Sequence, residues 1–192
     1  MTRRWPVLLA MSVSLTAEQR LVEGNPASRV RVVAYEDLQC PDCAAYRAMM
    51  DVHLLPKYGA KVAFEHRDFP LPKHSWARKA AIAARYFDGV KAELGVRFRQ
   101  QTMARIREIA AAAFDEHVRS FAKAHGADPE KALAALADPK LGALVEEDYQ
   151  EGIARGVGRT PTVFVNGEAF IETFTLEEIS RSIEAALAEP KK

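Results

Sequence analysis

The stretch Gln39-Cys40-Pro41-Asp42-Cys43 constrains this chain more than any other, because it holds both of its cysteines at a change of backbone pattern. A β-branched run, Val30 to Tyr35, precedes it, and a helix-patterned run, Ala44 to Leu55, follows it. A Cys-x-x-Cys pair at a strand-to-helix junction is the pattern of a dithiol redox site. The local grammar agrees. Cys40 falls at the helix N-cap and Pro41 at the first helical position, where the missing N–H would have had no partner. Asp42 suits the positive end of the helix dipole. Cys43, Tyr46, Met50 and Leu54 recur at helical spacing and define an inward face. Pro56 is expected to end or kink the helix.

The remaining composition narrows the alternatives. Two cysteines three residues apart cannot build a structural disulfide framework. A net charge of +1 over 192 residues provides no basic field for nucleic acid. The length suits one domain, or one domain carrying a large insertion. Near the start, Arg3 and Arg4 precede an apolar run from Trp5 to Val13. This is the pattern of a secretory leader, the alternative being an arm packed on the domain. The run is too short to span a bilayer as a helix.

Further elements follow in order. Arg20-Leu21-Val22 fits a short edge strand before the turn cluster Gly24-Asn25-Pro26. Lys61 to Asp68 is a second main strand, with Val62, Phe64 and His66 on one face. Phe69-Pro70-Leu71-Pro72 breaks regular structure. Ser75 to Arg155 is helical with interruptions. Trp76, Ala80, Ala83, Ala84 and Phe87 form one stripe there, and Met103, Ile106, Ala110, Ala113, His117 and Phe121 form a second. Asp128-Pro129 and Asp138-Pro139 each read as an N-cap followed by proline. The second pair opens a helix carrying Leu141, Leu144, Val145, Tyr149 and Ile153. Asn166-Gly167 joins Thr162–Val165 to Glu168–Ile171 as a two-residue hairpin turn. Thr175 to Glu178 is a capping box opening a final helix whose buried face carries Leu176, Ile179, Ile183 and Leu187. The order is βαβ, then a helical block, then ββα. It predicts an α/β fold with a mixed sheet, residues 1–25 as arm or leader, 26–74 and 156–192 as core, and 75–155 as an all-helical insertion.

Three collinear blocks carry a family resemblance. They are Glu36-Asp37-Leu38-Gln39-Cys40-Pro41-Asp42-Cys43, then Arg67-Asp68-Phe69-Pro70-Leu71 with His74 and Ala77, and then Gly156-Val157-Gly158-Arg159-Thr160-Pro161-Thr162 leading to Val165-Asn166-Gly167. Together they resemble the DsbA-like branch of the thioredoxin superfamily. The resemblance implies a thioredoxin-like fold, with Cys40 as exposed nucleophile and Cys43 as its buried partner. It implies a cis-proline at Pro161 facing the disulfide, and Thr160 offering backbone groups to an extended substrate segment. It also implies cysteine-containing protein substrates, a membrane quinone-linked partner if the protein is an oxidase, and a periplasmic or otherwise extracytoplasmic location. A monomer is expected. The chain departs from the thioredoxin pattern at Ala34, where a buried acid usually stands, which leaves proton management for Cys43 to water, Glu36 or Asp37. Asp42 stands where the strongest oxidant of the family has histidine.

Thiol–disulfide exchange needs a thiolate that attacks a sulfur in line. A helix N-terminus stabilises that thiolate and lowers the cysteine pKa from about 8.5 toward roughly 3.5–7.5. The Asp42 carboxylate, at ~7 Å and an effective dielectric of ~40, opposes this by on the order of 1 kcal/mol. No cofactor and no metal are required, because the cysteine pair carries the two electrons. Three alternatives stay open: an oxidase or isomerase, a reductase kept in the dithiol state, and a non-catalytic binding module whose Cys-x-x-Cys is structural or zinc-bound. Zinc would need two more ligands, for which His66 and His74 are candidates.

Overall fold

A computed structural model describes residues 20–190, so the leader reading, which concerns residues before 20, lies outside the described residues. Five strands form one sheet: β1 (Val22–Gly24), β2 (Arg31–Glu36), β3 (Ala63–Asp68), β4 (Thr162–Val165) and β5 (Glu168–Ile171). Their order across the sheet is β1-β3-β2-β4-β5. β2 and β3 are parallel, and every other pairing is antiparallel. The parallel pair is joined by a helical crossover, as a βαβ unit requires. β1 falls inside the stretch expected as an arm, yet it pairs with β3 and forms one edge of the sheet.

The crossover after the cysteines is continuous but changes helical type along its length. α1 (Pro41–Met49) passes into a π-helical turn, Met50–Leu54, and then into α2 (Leu55–Tyr58). Of the two outcomes expected at Pro56, an end or a kink, the helix does not end there but changes its winding just before it. Pro56 sits in the first turn of α2, and the wider π turn precedes it. A proline lacks the N–H that would bond back along the helix, and a π turn is a common way of absorbing such a break. Cys43, Tyr46, Met50 and Leu54 are all buried, as their spacing predicts.

Five helices lie between β3 and β4: α3 (Ala77–Val90), α4 (Ala92–Ala104), α5 (Phe114–Ala124), α6 (Pro129–Ala135) and α7 (Pro139–Ala154). α8 (Leu176–Ala188) closes the chain behind its capping box. Asp128 and Asp138 both cap their helices as expected. The stripe on α3 packs into an aromatic core with Phe98, Phe114 and Phe121. The second expected stripe does not exist as one face. α4 stops at Ala104, turns follow, and Ala110 and Ala113 are exposed. On α7 the inward face is also shifted. Ile153 is exposed, while Asp148 and Gly152 are buried. The reason is contact: a Cβ on Gly152 would lie 2.6 Å from the Phe69 ring, and Asp148 pairs with Arg85.

Ion pairs bind the helices to the sheet. Asp68, at the end of β3, takes Arg85 of α3 at 2.5 Å and Arg99 of α4 at 2.9 Å. Asp148 of α7 accepts the Asp68 backbone N–H at 3.0 Å. Arg85 and Arg99 are both almost wholly buried.

Candidate active site

The site forms where β2 ends and α1 begins. Cys40 is the N-cap of α1, in extended backbone and with no side-chain cap of its own. Its sulfur therefore stands at the N–H end of the helix, where charge is favoured. Cys43, one turn on, is fully buried, and both cysteines are free thiols. Across from them the Thr160–Pro161 peptide is cis. The Cys40 thiol donates to the Thr160 carbonyl at 3.3 Å.

Cys40 is only 4 % exposed, which corrects the expectation of an exposed nucleophile. The helical block explains this. Cys40 belongs to the apolar cluster that includes Leu38, Trp76 and Phe114, with Trp76 stacked on Phe114 at 5.1 Å.

The two thiols are differentiated. A hydrogen bond from Cys43 is the largest influence on Cys40. Although burial opposes it, Thr160 and the backbone N–H groups of Cys43 and Asp42 bring the Cys40 pKa down to about 6. Asp42 thus enters among the leading influences through its backbone N–H, which favours the thiolate. Burial pushes the Cys43 thiol well up, and the charges of Cys40 and Glu36 push it further.

Asp37 is the hub of the loop. Its carboxylate accepts the N–H of Gln39 at 2.7 Å and of Leu71 at 2.8 Å, and it pairs with His74 at 2.7 Å. Its backbone N–H reaches the Cys43 sulfur at 3.4 Å. Gln39 in turn accepts the Trp76 N–H at 2.8 Å. The cysteine loop is thereby tied to the segment after β3. Glu36 is buried on the α1 side of the sheet and pairs with His66 at 2.7 Å, while the other ring nitrogen of His66 meets Glu23 at 2.9 Å. Both ring nitrogens of His66 are thus on carboxylates.

Of the residues singled out from sequence, Cys40, Cys43, Pro41, Asp42, Thr160, Asp37 and Glu36 belong to this one region, with Pro161 following Thr160. Gln39, Leu71 and the carboxylate pairing of His66 were missed as site elements, and Glu23 gave no signal. A signal for His66 was present, since it and Glu36 both fall on the inward alternation of neighbouring strands. A groove of about 480 Å³ lies beside Asp42, lined by Ala45, Tyr46, Met49, Thr173 and Phe174, with Glu172 and Glu178 at its margin.

A family model described as Thioredoxin matches residues 16–185. The chain belongs to the thioredoxin family. Among solved structures, this thioredoxin-family chain superposes on BdbD of Bacillus subtilis in its oxidised form with a TM-score of 0.78, covering 88% of this chain and 94% of that one at 20% identity. It superposes on the thiol-disulfide exchange protein alpha-DsbA2 of Wolbachia pipientis with a TM-score of 0.74, covering 87% of each chain at 22% identity. The fold is therefore the DsbA-like form of the thioredoxin fold, with its helices inserted in the sheet. By sequence, the chain is 26% identical over 181 residues to a Rickettsia bellii protein named as a protein-disulfide oxidoreductase, spanning 91% of this chain and 67% of that protein. It is also 27% identical to part of the Na(+)/H(+) antiporter NhaA 1 of Mycolicibacterium gilvum, where the match spans 94% of this chain and only 28% of the antiporter.

Proposed function

We propose that this thioredoxin-family protein is an oxidoreductase that exchanges disulfides with cysteine-containing proteins through Cys40 and Cys43. The observation that carries the reading is the division of labour between the thiols. One is favoured as thiolate at a helix N-terminus, and the other is held back by burial beside it. Exchange needs this asymmetry. Cys40 forms the mixed disulfide, and Cys43 resolves it by attacking the Cys40 sulfur, which restores the internal disulfide and releases the partner as a thiolate.

Substrate binding is assigned to the Thr160 backbone beside Pro161, which suits an extended segment laid along it. The groove beside Asp42, apolar with an acidic margin, supports a substrate whose cysteine is flanked by apolar and basic residues. Asp37 and His74 hold the loop, and Pro41 and Asp42 set the start of α1. Among the described residues no helix is long and apolar enough to cross a membrane. Extracytoplasmic work, a quinone-linked membrane partner and a monomeric state belong to this same reading, by likeness to the family.

Insulin reduction and refolding of a scrambled disulfide protein test it, with wild type set against Cys40→Ser. Loss of both activities in the variant is expected, and equal behaviour of the two proteins would refute exchange. The reduction potential then gives the direction, near about −120 mV for an oxidase and near about −270 mV for a reductase.

A further inference from the structure

Beneath Cys43 the structure places a connected set of ionisable groups that exchange chemistry alone does not account for. Glu36 is 3 % exposed, and its Oε1 has no hydrogen-bond partner among the described residues. Its other oxygen meets His66 Nδ1 at 2.7 Å, and His66 Nε2 meets Glu23 Oε1 at 2.9 Å. Glu23 lies on the outer strand β1 with its side chain 12 % exposed, and it also holds Arg47. Arg47 continues to Asp51, whose side chain is 31 % exposed and takes Gln100 as well. The series runs to the sheet edge from Glu36, whose chain neighbour Asp37 gives its backbone N–H to the Cys43 sulfur at 3.4 Å.

The position of Ala34 sharpens the point, because the strand carries no acid there. Two residues on, with the same alternation, it carries Glu36. From α1, Cys43, Tyr46 and Arg47 face this set. From α4, Arg99 does, and the hydroxyl of Tyr46 on α1 has no partner among the described residues.

We propose that Glu36, His66 and Glu23 form a proton path that serves Cys43. The proposal rests on the exchange reading above. When Cys43 attacks the mixed disulfide, its thiol proton passes to Glu36 Oε1. The Nε2 proton of the imidazolium passes to Glu23 and on to water, so the Glu36–His66 pair goes from ionic to neutral. The new bond joins the Cys43 and Cys40 sulfurs. The bond between Cys40 and the partner breaks, and the partner sulfur leaves with the electron pair. When the internal disulfide is opened by a substrate thiolate, the same proton returns from Glu36 to Cys43. Burial alone would lower the His66 pKa, but the Glu36 charge and the hydrogen bonds of both carboxylates raise it to about 9. The imidazolium is therefore present at neutral pH, held by the Glu36 charge, and it gives up its proton only as Glu36 takes the proton of Cys43. His66, Glu36 and Glu23 are positioning and proton-handling residues, and none of them touches the partner sulfur.

The test is a stopped-flow reaction of reduced protein with excess 5,5′-dithiobis-(2-nitrobenzoate). The first aryl thiolate released reports attack by Cys40. The second reports attack by Cys43 on Cys40. Glu36→Gln and Glu23→Gln are each expected to leave the first phase nearly unchanged. Each should slow the second by about tenfold or more near pH 7, positioned general bases being worth roughly 10²–10⁴. Glu65→Gln, on the opposite face of β3, is expected to leave the second phase alone. A second phase as fast as wild type, or faster, in either path variant would overturn the proposal. That is the result if the carboxylates act on Cys43 by charge alone, since removing a negative charge eases thiolate formation. Wild type in deuterated water gives a check that needs no variant. The second phase should slow more than the first, and equal slowing counts against the path. Absence of any first phase in wild type would instead refute exchange itself.

Discussion

At the residue scale, two thiols three positions apart have been given opposite characters by their surroundings. Alkylation of Cys40 followed against pH should show an apparent pKa of about 6, and a value above about 8, near a free thiol, would contradict the helix-start argument. Asp42→His should lower that value further and raise the reduction potential. It replaces a carboxylate worth on the order of 1 kcal/mol against the thiolate by a group that can carry positive charge. An unchanged potential would remove the side chain of Asp42 from the account and leave only its backbone N–H. The cysteines, Pro41 and the loop around them were legible because each residue type answers a local requirement. Pro161 and Thr160 were legible through the resemblance, since a turn sequence alone does not give the isomer of its peptide bond. The enclosure of Cys40 was not legible. It depends on Trp76 and Phe114 arriving from distant helices, and no local pattern encodes that meeting.

At the scale of elements, the chain is accurate wherever a helix or turn is specified by its own ends. The hairpin at Asn166-Gly167 shows positive φ at both turn positions, 45° and 103°. The Thr175 capping box is complete. Thr175→Ala should cost about 1 kcal/mol in urea unfolding, the usual worth of an N-cap. Sequence reading fails where tertiary contact decides a face. On α7 the periodic apolar residues gave Leu141, Val145 and Tyr149, which do pack, but also Ile153, which is exposed, and they left out the buried Asp148 and Gly152. Gly152→Ala is therefore expected to destabilise by roughly 1–3 kcal/mol, because its methyl would press on the rings of Phe69 and Tyr35. A stability equal to wild type would mean that α7 is free to move away from the sheet.

At the scale of the molecule, buried charge joins the helical block to the sheet and shapes the response to pH. Removing the shared carboxylate of the Asp68–Arg85–Arg99 cluster, as in Asp68→Ala, leaves Arg85 with Asp148 and Arg99 with Asp88 as their remaining acidic partners, and should cost about 3 kcal/mol, the low end for a broken buried pair, measured by denaturant unfolding. A buried histidine and a half-buried one act in opposite directions. In His66, burial is outweighed by the Glu36 charge and by hydrogen bonds to Glu23 and Glu36, which raise its pKa to about 9. Its contribution is complete below its ordinary value of 6.5 and is lost as pH rises through 9. In His117, burial and then the Arg105 charge lower the pKa to about 4. Its contribution is complete above 6.5 and is lost as pH falls through 4. Stability should therefore peak near neutral pH. His66→Asn should flatten the alkaline limb, whose size is on the order of 3 kcal/mol at most, at about 1.4 kcal/mol per pK unit. Thermal unfolding between pH 4 and 10 checks this, and an alkaline limb of unchanged slope in the variant would count against it.

The sheet ends in two short strands, β1 with three residues and β5 with four. Under the exchange function proposed above, cysteine-containing partners would bring extended segments to the protein. A long open border would offer them hydrogen-bond donors and acceptors and invite lateral growth into aggregates. Here one border is three residues long and ends at Gly24. The other is four residues long, with acidic Glu168 at its start and Glu172 just past its end. Such borders are too brief to template a foreign strand, so the rims offer little to an extended segment and the cysteine face is left as the place for contact.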